Sequence, residues 1–242
     1  MTGREGIGAV SNERHPNHSR EGWYPVKASL HVGFNFLSAM VLVTICAASD
    51  TRVVRLASPQ AVVGTPPDSC RPALTGEGGP VAWQVLLVHN RAALAEMSRV
   101  AVDNRFPLCV VDTVKASDVE LGVSFTPIAG KIDQAAGLMF RVKDANNYYV
   151  ARANALENNV NLYHVVKGVR RQIAGANVPV LTGKTQQLGV RIEGDAIKVS
   201  FDGRPLINVN DRTIRGSGAV GLWTKADSLT AFYELTVSVL KE

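Results

Sequence analysis

Histidine and cysteine are scarce in this chain, 5 and 3 among 242 residues. Beyond residue 49 only His89, His164, Cys70 and Cys109 remain, in no metal-ligand spacing, so no metal site is expected. Aromatic residues make up 6%, the formal net charge is only +5, and no basic run is longer than Arg170-Arg171. Nucleic acid is therefore excluded as a partner, because duplexes need a dense basic patch and single strands a stacking platform. There is no Gly-x-Ser-x-Gly elbow. Gly183-Lys184-Thr185 imitates the end of a phosphate loop, but the first glycine of that motif would fall at Val178 and a strand pattern follows. Long apolar runs are missing too. The one candidate, Phe36 to Ile45, offers about 10 apolar residues where a bilayer span needs about 20.

That run suits the apolar heart of a signal peptide instead. Lys27 and His31 precede it, and Cys46-Ala47-Ala48-Ser49 supplies the small residues a cleavage site needs, after Ala48 or Ser49. Residues 1–25 are polar and unlike a leader, whereas initiation at the position of Val26 would open a conventional one on Lys27. The expected organisation is an N-terminal extension and signal peptide over 1–49, a lead-in segment over 50–66 and a single β-sandwich domain over 67–242. The protein is then exported, with no membrane span after cleavage. Cys70 and Cys109 remain, either as a disulfide or as two separate buried thiols.

What is abundant is apolar and turn-forming: 46% hydrophobic residues, 21 Gly and 11 Pro, against 19% charged. Such a chain buries a core and is not disordered. Val119, Leu121, Val123 and Phe125 alternate with polar or small residues; so do Leu188, Val190 and Ile192, and Ile197, Val199 and Phe201. Each set is a strand with one buried face. Asp202-Gly203 is the dipeptide of a two-residue hairpin and should set Val199 opposite Leu206, while Pro205 places the return strand at an edge. Further strands are expected at 137–142, 148–153, 160–166, 220–225 and 229–240, which together indicate an all-β sandwich. Arg91–Val100 alone has helix propensity.

Several stretches carry a resemblance: Gly130-Lys-Ile-Asp-Gln-Ala-Ala-Gly-Leu-Met-Phe-Arg141, Asp144-Ala-Asn-Asn-Tyr-Tyr149, Arg152-Ala-Asn-Ala-Leu-Glu157 and Gly221-Leu-Trp-Thr-Lys-Ala-Asp-Ser228. Together with Leu74–Pro80, Trp83 and Arg105–Leu108, they resemble exported bacterial proteins of the concanavalin A-like lectin/glucanase superfamily. These are often described as family 16 glycoside hydrolase-like or 3-keto-disaccharide hydrolase domains. The likeness runs from about Gly64 to Val237 and is dense from Ser117 onward. It implies a jelly roll of two antiparallel sheets whose concave face holds sugar, and a strand over Ala93–Ser98 that overrides the helix propensity. Where such relatives carry an acidic pair in the last strand, this chain has Tyr233-Glu234. That leaves a structural calcium in doubt, and no other cofactor is expected.

Two functions follow as expectations. The first is an exported, non-catalytic carbohydrate-binding module, monomeric, with a glycan or small acidic or oxidised sugar on Arg141, Asn147, Tyr148, Arg152, Asn154, Trp223 and Lys225. Arg and Asn supply forked donors for hydroxyls and carboxylates, and Tyr or Trp a flat apolar face for a sugar ring. The second is a hydrolase of a 3-keto-disaccharide or related glycan. Its candidates are Glu120, Glu157 and Asp227, although Asp118-Val-Glu120-Leu-Gly122 has glycine where a family 16 strand would place its third carboxylate. The site depends on the hairpin across 143–147: Arg141 opposite Val150 and Met139 opposite Arg152 would put both guanidinium groups on one face.

Overall fold

The computed structural model describes residues 50–57 and 61–241, so the expected leader lies outside the described residues. The described chain holds fifteen strands and no helix. They are β1 (Asp50–Arg55), β2 (Arg71–Gly76), β3 (Trp83–Val88), β4 (Arg91–Glu96), β5 (Arg105–Ala116), β6 (Asp118–Ala129), β7 (Ala135–Asp144), β8 (Asn147–Asn154), β9 (Asn159–Val166), β10 (Val169–Asn177), β11 (Gln186–Glu193), β12 (Ala196–Phe201), β13 (Arg204–Asn210), β14 (Gly218–Trp223) and β15 (Leu229–Lys241). One sheet runs β13-β12-β11-β6-β15-β4-β3, with β1 added along β15; the other runs β10-β9-β8-β7-β14-β5-β2. Every pairing is antiparallel. The lead-in segment thus contributes a strand of its own, with Asp50 opposite Val239 and Arg55 opposite Glu234.

Alternation explains the layering. Val119, Leu121, Val123 and Phe125 of β6 pack inward with Val190, Ile192, Val199 and Phe201. Against them lie Leu138, Phe140, Tyr149, Ala151, Leu162 and Leu222 of the second sheet. Each large side chain buried in this way contributes roughly 1.5–3 kcal/mol. In β4, Ala93, Leu94 and Ala95 are fully buried. That burial overrides a helix propensity worth only tenths of a kcal/mol per residue. The cysteines are bonded: Cys70–Cys109 ties the residue before edge strand β2 to β5.

Two registers differ from expectation. The β12–β13 turn forms as expected, with Asp202 at φ 45° and Gly203 at φ 75°, and β13 is an edge strand. However, Val199 faces Ile207, not Leu206, because the pairing shifts after Ser200 faces Pro205. Proline has no N–H for the ladder, and the strand slips by one residue there. In the β7–β8 hairpin, Asp144 faces Asn147, but beyond a register shift Gly137, not Met139, faces Arg152, and Met139 faces Val150. The shift spans Arg141, whose φ is 48°. Two residues is a whole pleat period, so Arg152 keeps its face while Arg141 leaves the alternation.

Candidate functional site

The face of the second sheet turned away from the core is itself buried. Phe106, Leu108, Met139, Tyr148, Val150, Tyr163 and Trp223 form a second apolar cluster there. Curvature closes it. Tyr148 Oη of β8 lies 2.9 Å from Thr75 Oγ1 of β2, although three strands separate these two in the sheet. Trp223 Nε1 donates to the same Tyr148 oxygen at 3.2 Å. Trp223 and Tyr148 are both 0% exposed, so neither offers a free platform to solvent. Burial pushes the Tyr148 hydroxyl up to about 12. Gly137 lies between Trp223 and Arg152 on one cross-strand row, where a Cβ would meet Trp223 Cβ and Val150 Cγ2 at 3.0 Å.

A polar network borders this cluster. Arg152 donates from both terminal nitrogens to Glu157 Oε2 at 3.0 Å, and from Nη2 to Tyr163 Oη at 2.7 Å. Asn154 Nδ2 reaches Glu157 Oε1 at 2.9 Å and Asp133 Oδ1 at 2.5 Å. Lys225 Nζ sits 2.7 Å from Asp133 and 2.5 Å from Asp103. Glu157 and Asp103 open to solvent, whereas Arg152, Asn154 and Asp133 are buried. Burial works to raise the Glu157 carboxyl, but Arg152 and Asn159 outweigh it and hold it below the usual value. Burial likewise works to lower the Lys225 ammonium, but its two aspartates outweigh it and raise it. At Asp133 burial wins and pushes the carboxyl up.

Of the residues expected from sequence, the structure brings together Arg152, Asn154, Lys225 and Glu157. Tyr148 and Trp223 lie on the same face of the sheet, beneath its surface. Asn147 opens β8 directly after the hairpin turn, its amide donating to both carboxylate oxygens of Asp144. Arg141 is elsewhere. Its guanidinium donates to the carbonyls of Ser117, Ile214 and Gly194 at 2.9, 3.1 and 2.6 Å and to Asp118 at 3.3 Å, toward the other sheet. The expected sharing of one face by Arg141 and Arg152 does not occur, because the shift at Arg141 redirects that side chain.

The three candidate carboxylates do not converge. Asp227 accepts from the backbone N–H groups of Lys131, Ile132 and Asp133 at 2.6, 3.0 and 3.1 Å, shaping the loop that presents Asp133. Glu120 lies on the outer face of the first sheet, paired with Arg191 at 2.7 Å. It borders a trough of 420 Å³ across Gly122 and Gly189, whose other carboxylate is Glu234. Glu120 faces Ser238, so Glu234 is four residues along β15, about 13 Å at the usual strand rise. Glycosidase carboxylates stand about 5–9.5 Å apart.

The sequence reading missed Asp103, Asp133 and Tyr163 as members of the network. Tyr163 was accessible in principle, since it alternates with Asn161, the partner of Arg152 in β9. Asp103 and Asp133 come from loops and carry no periodic signal.

The chain is a jelly-roll β-sandwich. It matches no protein-family model. The solved carbohydrate-binding module CBM66 from Bacillus subtilis superposes with a TM-score of 0.54 at 25% identity, over 69% of this chain and 94% of that module. A Bacillus subtilis protein of unknown function with a galectin-like fold superposes at 0.55 and 12% identity, over 80% of this chain and 98% of its own; it bears on fold alone. A levanase from Bacillus subtilis is 28% identical over 129 residues, 52% of this chain but 19% of the levanase. The match therefore spans about a fifth of that enzyme's length.

Proposed function

We propose that this protein is an exported, non-catalytic carbohydrate-binding module, monomeric, whose sugar meets the network of Arg152, Asn154, Glu157, Asp133, Lys225 and Asp103. The observation that carries the reading is the network itself: alternating cations, carboxylates and an amide, buried at its middle and open at Glu157 and Asp103. Sugar hydroxyls both donate and accept, and a rigid row of this kind offers both functions at fixed positions. The likeness to CBM66 and to a stretch of a levanase agrees with it. Export agrees with the Cys70–Cys109 disulfide, since such bonds persist in oxidising compartments. A glycan array run with the full chain, with and without calcium, tests the reading. We expect glycan binding that Glu157→Gln abolishes and calcium leaves unchanged; an array on which nothing binds overturns it.

Hydrolysis of a 3-keto-disaccharide or related glycan is the second reading. One observation favours it: Asp133 and Glu157 share the Asn154 amide and are pushed in opposite directions, as an acid and base pair would be. Against it, Asp133 is 1% exposed and held by Lys225. Release of sugar from a 3-keto-disaccharide by the wild type, lost in Asp133→Asn, would decide for the enzyme.

A further inference from the structure

The guanidinium of Arg170, on edge strand β10, lies across the aromatic face of the second sheet. Its Cζ is 4.7 Å from the ring centre of Phe106, 4.6 Å from Tyr163 and 5.6 Å from Trp223. Phe106 and Trp223 stack at 5.3 Å beneath it. Arg152 approaches the same Tyr163 ring, its Cζ 5.6 Å from the centre. Two cations therefore share one tyrosine, yet their partners are unequal. Arg152 is matched by Glu157 at 3.0 Å, whereas Arg170 has no carboxylate within 4 Å among the described residues and only acts at longer range on Asp103.

Both guanidinium groups also hold a buried nitrogen without a hydrogen-bond partner: Nη1 of Arg170 and Nε of Arg152. A buried donor left unmade is costly, and two of them beside one ring call for an acceptor. The aromatic rings cannot supply it, because they neutralise charge through their faces but accept no strong in-plane bond. A carboxylate can, since it has acceptor sites on two oxygens and matches a guanidinium fork.

We propose that Arg170 and Arg152, the two guanidinium groups that meet at Tyr163, seat the carboxylate of an acidic sugar such as a uronate. The inference rests on the sugar-binding reading above and names the ligand class for that site. Access is through β10. That strand pairs only with β9, is bulged between Gln172 and Ala174, and leaves much of its length exposed. Arg170 can therefore turn outward without breaking a pairing in the interior of the sheet, admit the anionic group and close on it. The rings hold the arginine in place when no ligand is bound.

The test uses the full chain on an array of oligogalacturonates, alginate oligomers and glucuronoxylan fragments, each beside its carboxyl-reduced form, together with neutral fructans and arabinans. The inference expects binding to acidic members that weakens about tenfold or more on carboxyl reduction and in Arg170→Gln, and falls with added salt. Arg170→Lys, which keeps the charge and loses the fork, should fall between the two, and it carries the test if Arg170→Gln does not fold. Equal binding of parent and reduced glycans, binding to neutral glycans alone, or undiminished uronate binding by Arg170→Gln overturns the inference and leaves the sugar-binding reading standing. Binding to nothing on the array overturns both.

Discussion

Arg152 gives both of its terminal nitrogens to one oxygen of Glu157, each at 3.0 Å, leaving the other oxygen to Asn154. This pair orients the network, and its two members differ in what they cost to remove. Arg152 is 2% exposed and holds Tyr163 as well, so Arg152→Ala should lose about 2 kcal/mol of stability together with glycan binding. Glu157 is exposed, so Glu157→Gln should lose binding with a measurable but smaller drop in melting temperature than Arg152→Ala. Parallel melting and binding curves on the two variants check this.

The same carboxylate predicts a pH dependence. Its pKa is held below the ordinary 4.5 in the folded chain, with Arg152 outweighing burial. Its stabilisation is therefore fully present above the unfolded value and is lost as pH falls through the folded one. The melting difference between wild type and Glu157→Gln should be constant from neutral pH down to about 5 and then shrink. A difference that grows on acidification would overturn the assignment.

Tyr148→Phe should destabilise although it removes only one oxygen. That oxygen serves both Trp223 Nε1 and Thr75 Oγ1 in a fully buried place; losing it leaves the indole N–H unmet, whereas Thr75 keeps its bond to the Ala145 carbonyl. A cost of about 1–3 kcal/mol is expected, and Trp223→Ala should cost about 3–5 kcal/mol. Denaturant midpoints measure both.

Arg141→Ala should be a stability variant and not a binding one. Its guanidinium satisfies three backbone carbonyls and pairs with Asp118 at 3.3 Å while 3% of the residue is exposed. About 3 kcal/mol should be lost, and glycan affinity per folded molecule should stay at the wild-type value. Calorimetric binding at low temperature, where the variant is folded, separates the two.

Replacing both Cys70 and Cys109 by Ala opens a link between residues 39 apart, and about 4 kcal/mol of stability should go with it. Chemical denaturation of the double variant against the oxidised wild type measures the loss.

At the β12–β13 turn, Gly203 has φ 75° and a Cβ added there would meet no atom within 4 Å, so any penalty is purely one of backbone. Gly203→Val should cost about 1 kcal/mol and Gly203→Asn much less. Thermal unfolding that is neutral for the valine would contradict the turn.

What the amino-acid sequence determined by itself is what local chemistry controls. Period-2 alternation in 119–125 and 188–201 specified strands and their inward faces, because a pleated chain with one apolar side has a single way to bury it. Asp202-Gly203 specified the turn through positive φ, and Pro205 specified an edge through its missing N–H. The tertiary structure decided the rest. The register shift at Arg141 follows from a guanidinium that finds its carbonyls on segments 24 to 73 residues away, which no local pattern records. The expected open groove is closed because curvature brings β2 to β8 and Arg170 over Phe106, across strands that alternation cannot order. Asn154 and Lys225 were read as site residues from their type, but their partners Asp103 and Asp133 arrive from loops. Only the folded chain sets the distances between them, because electrostatic and hydrogen-bond partners are chosen by proximity in space and not by spacing in sequence.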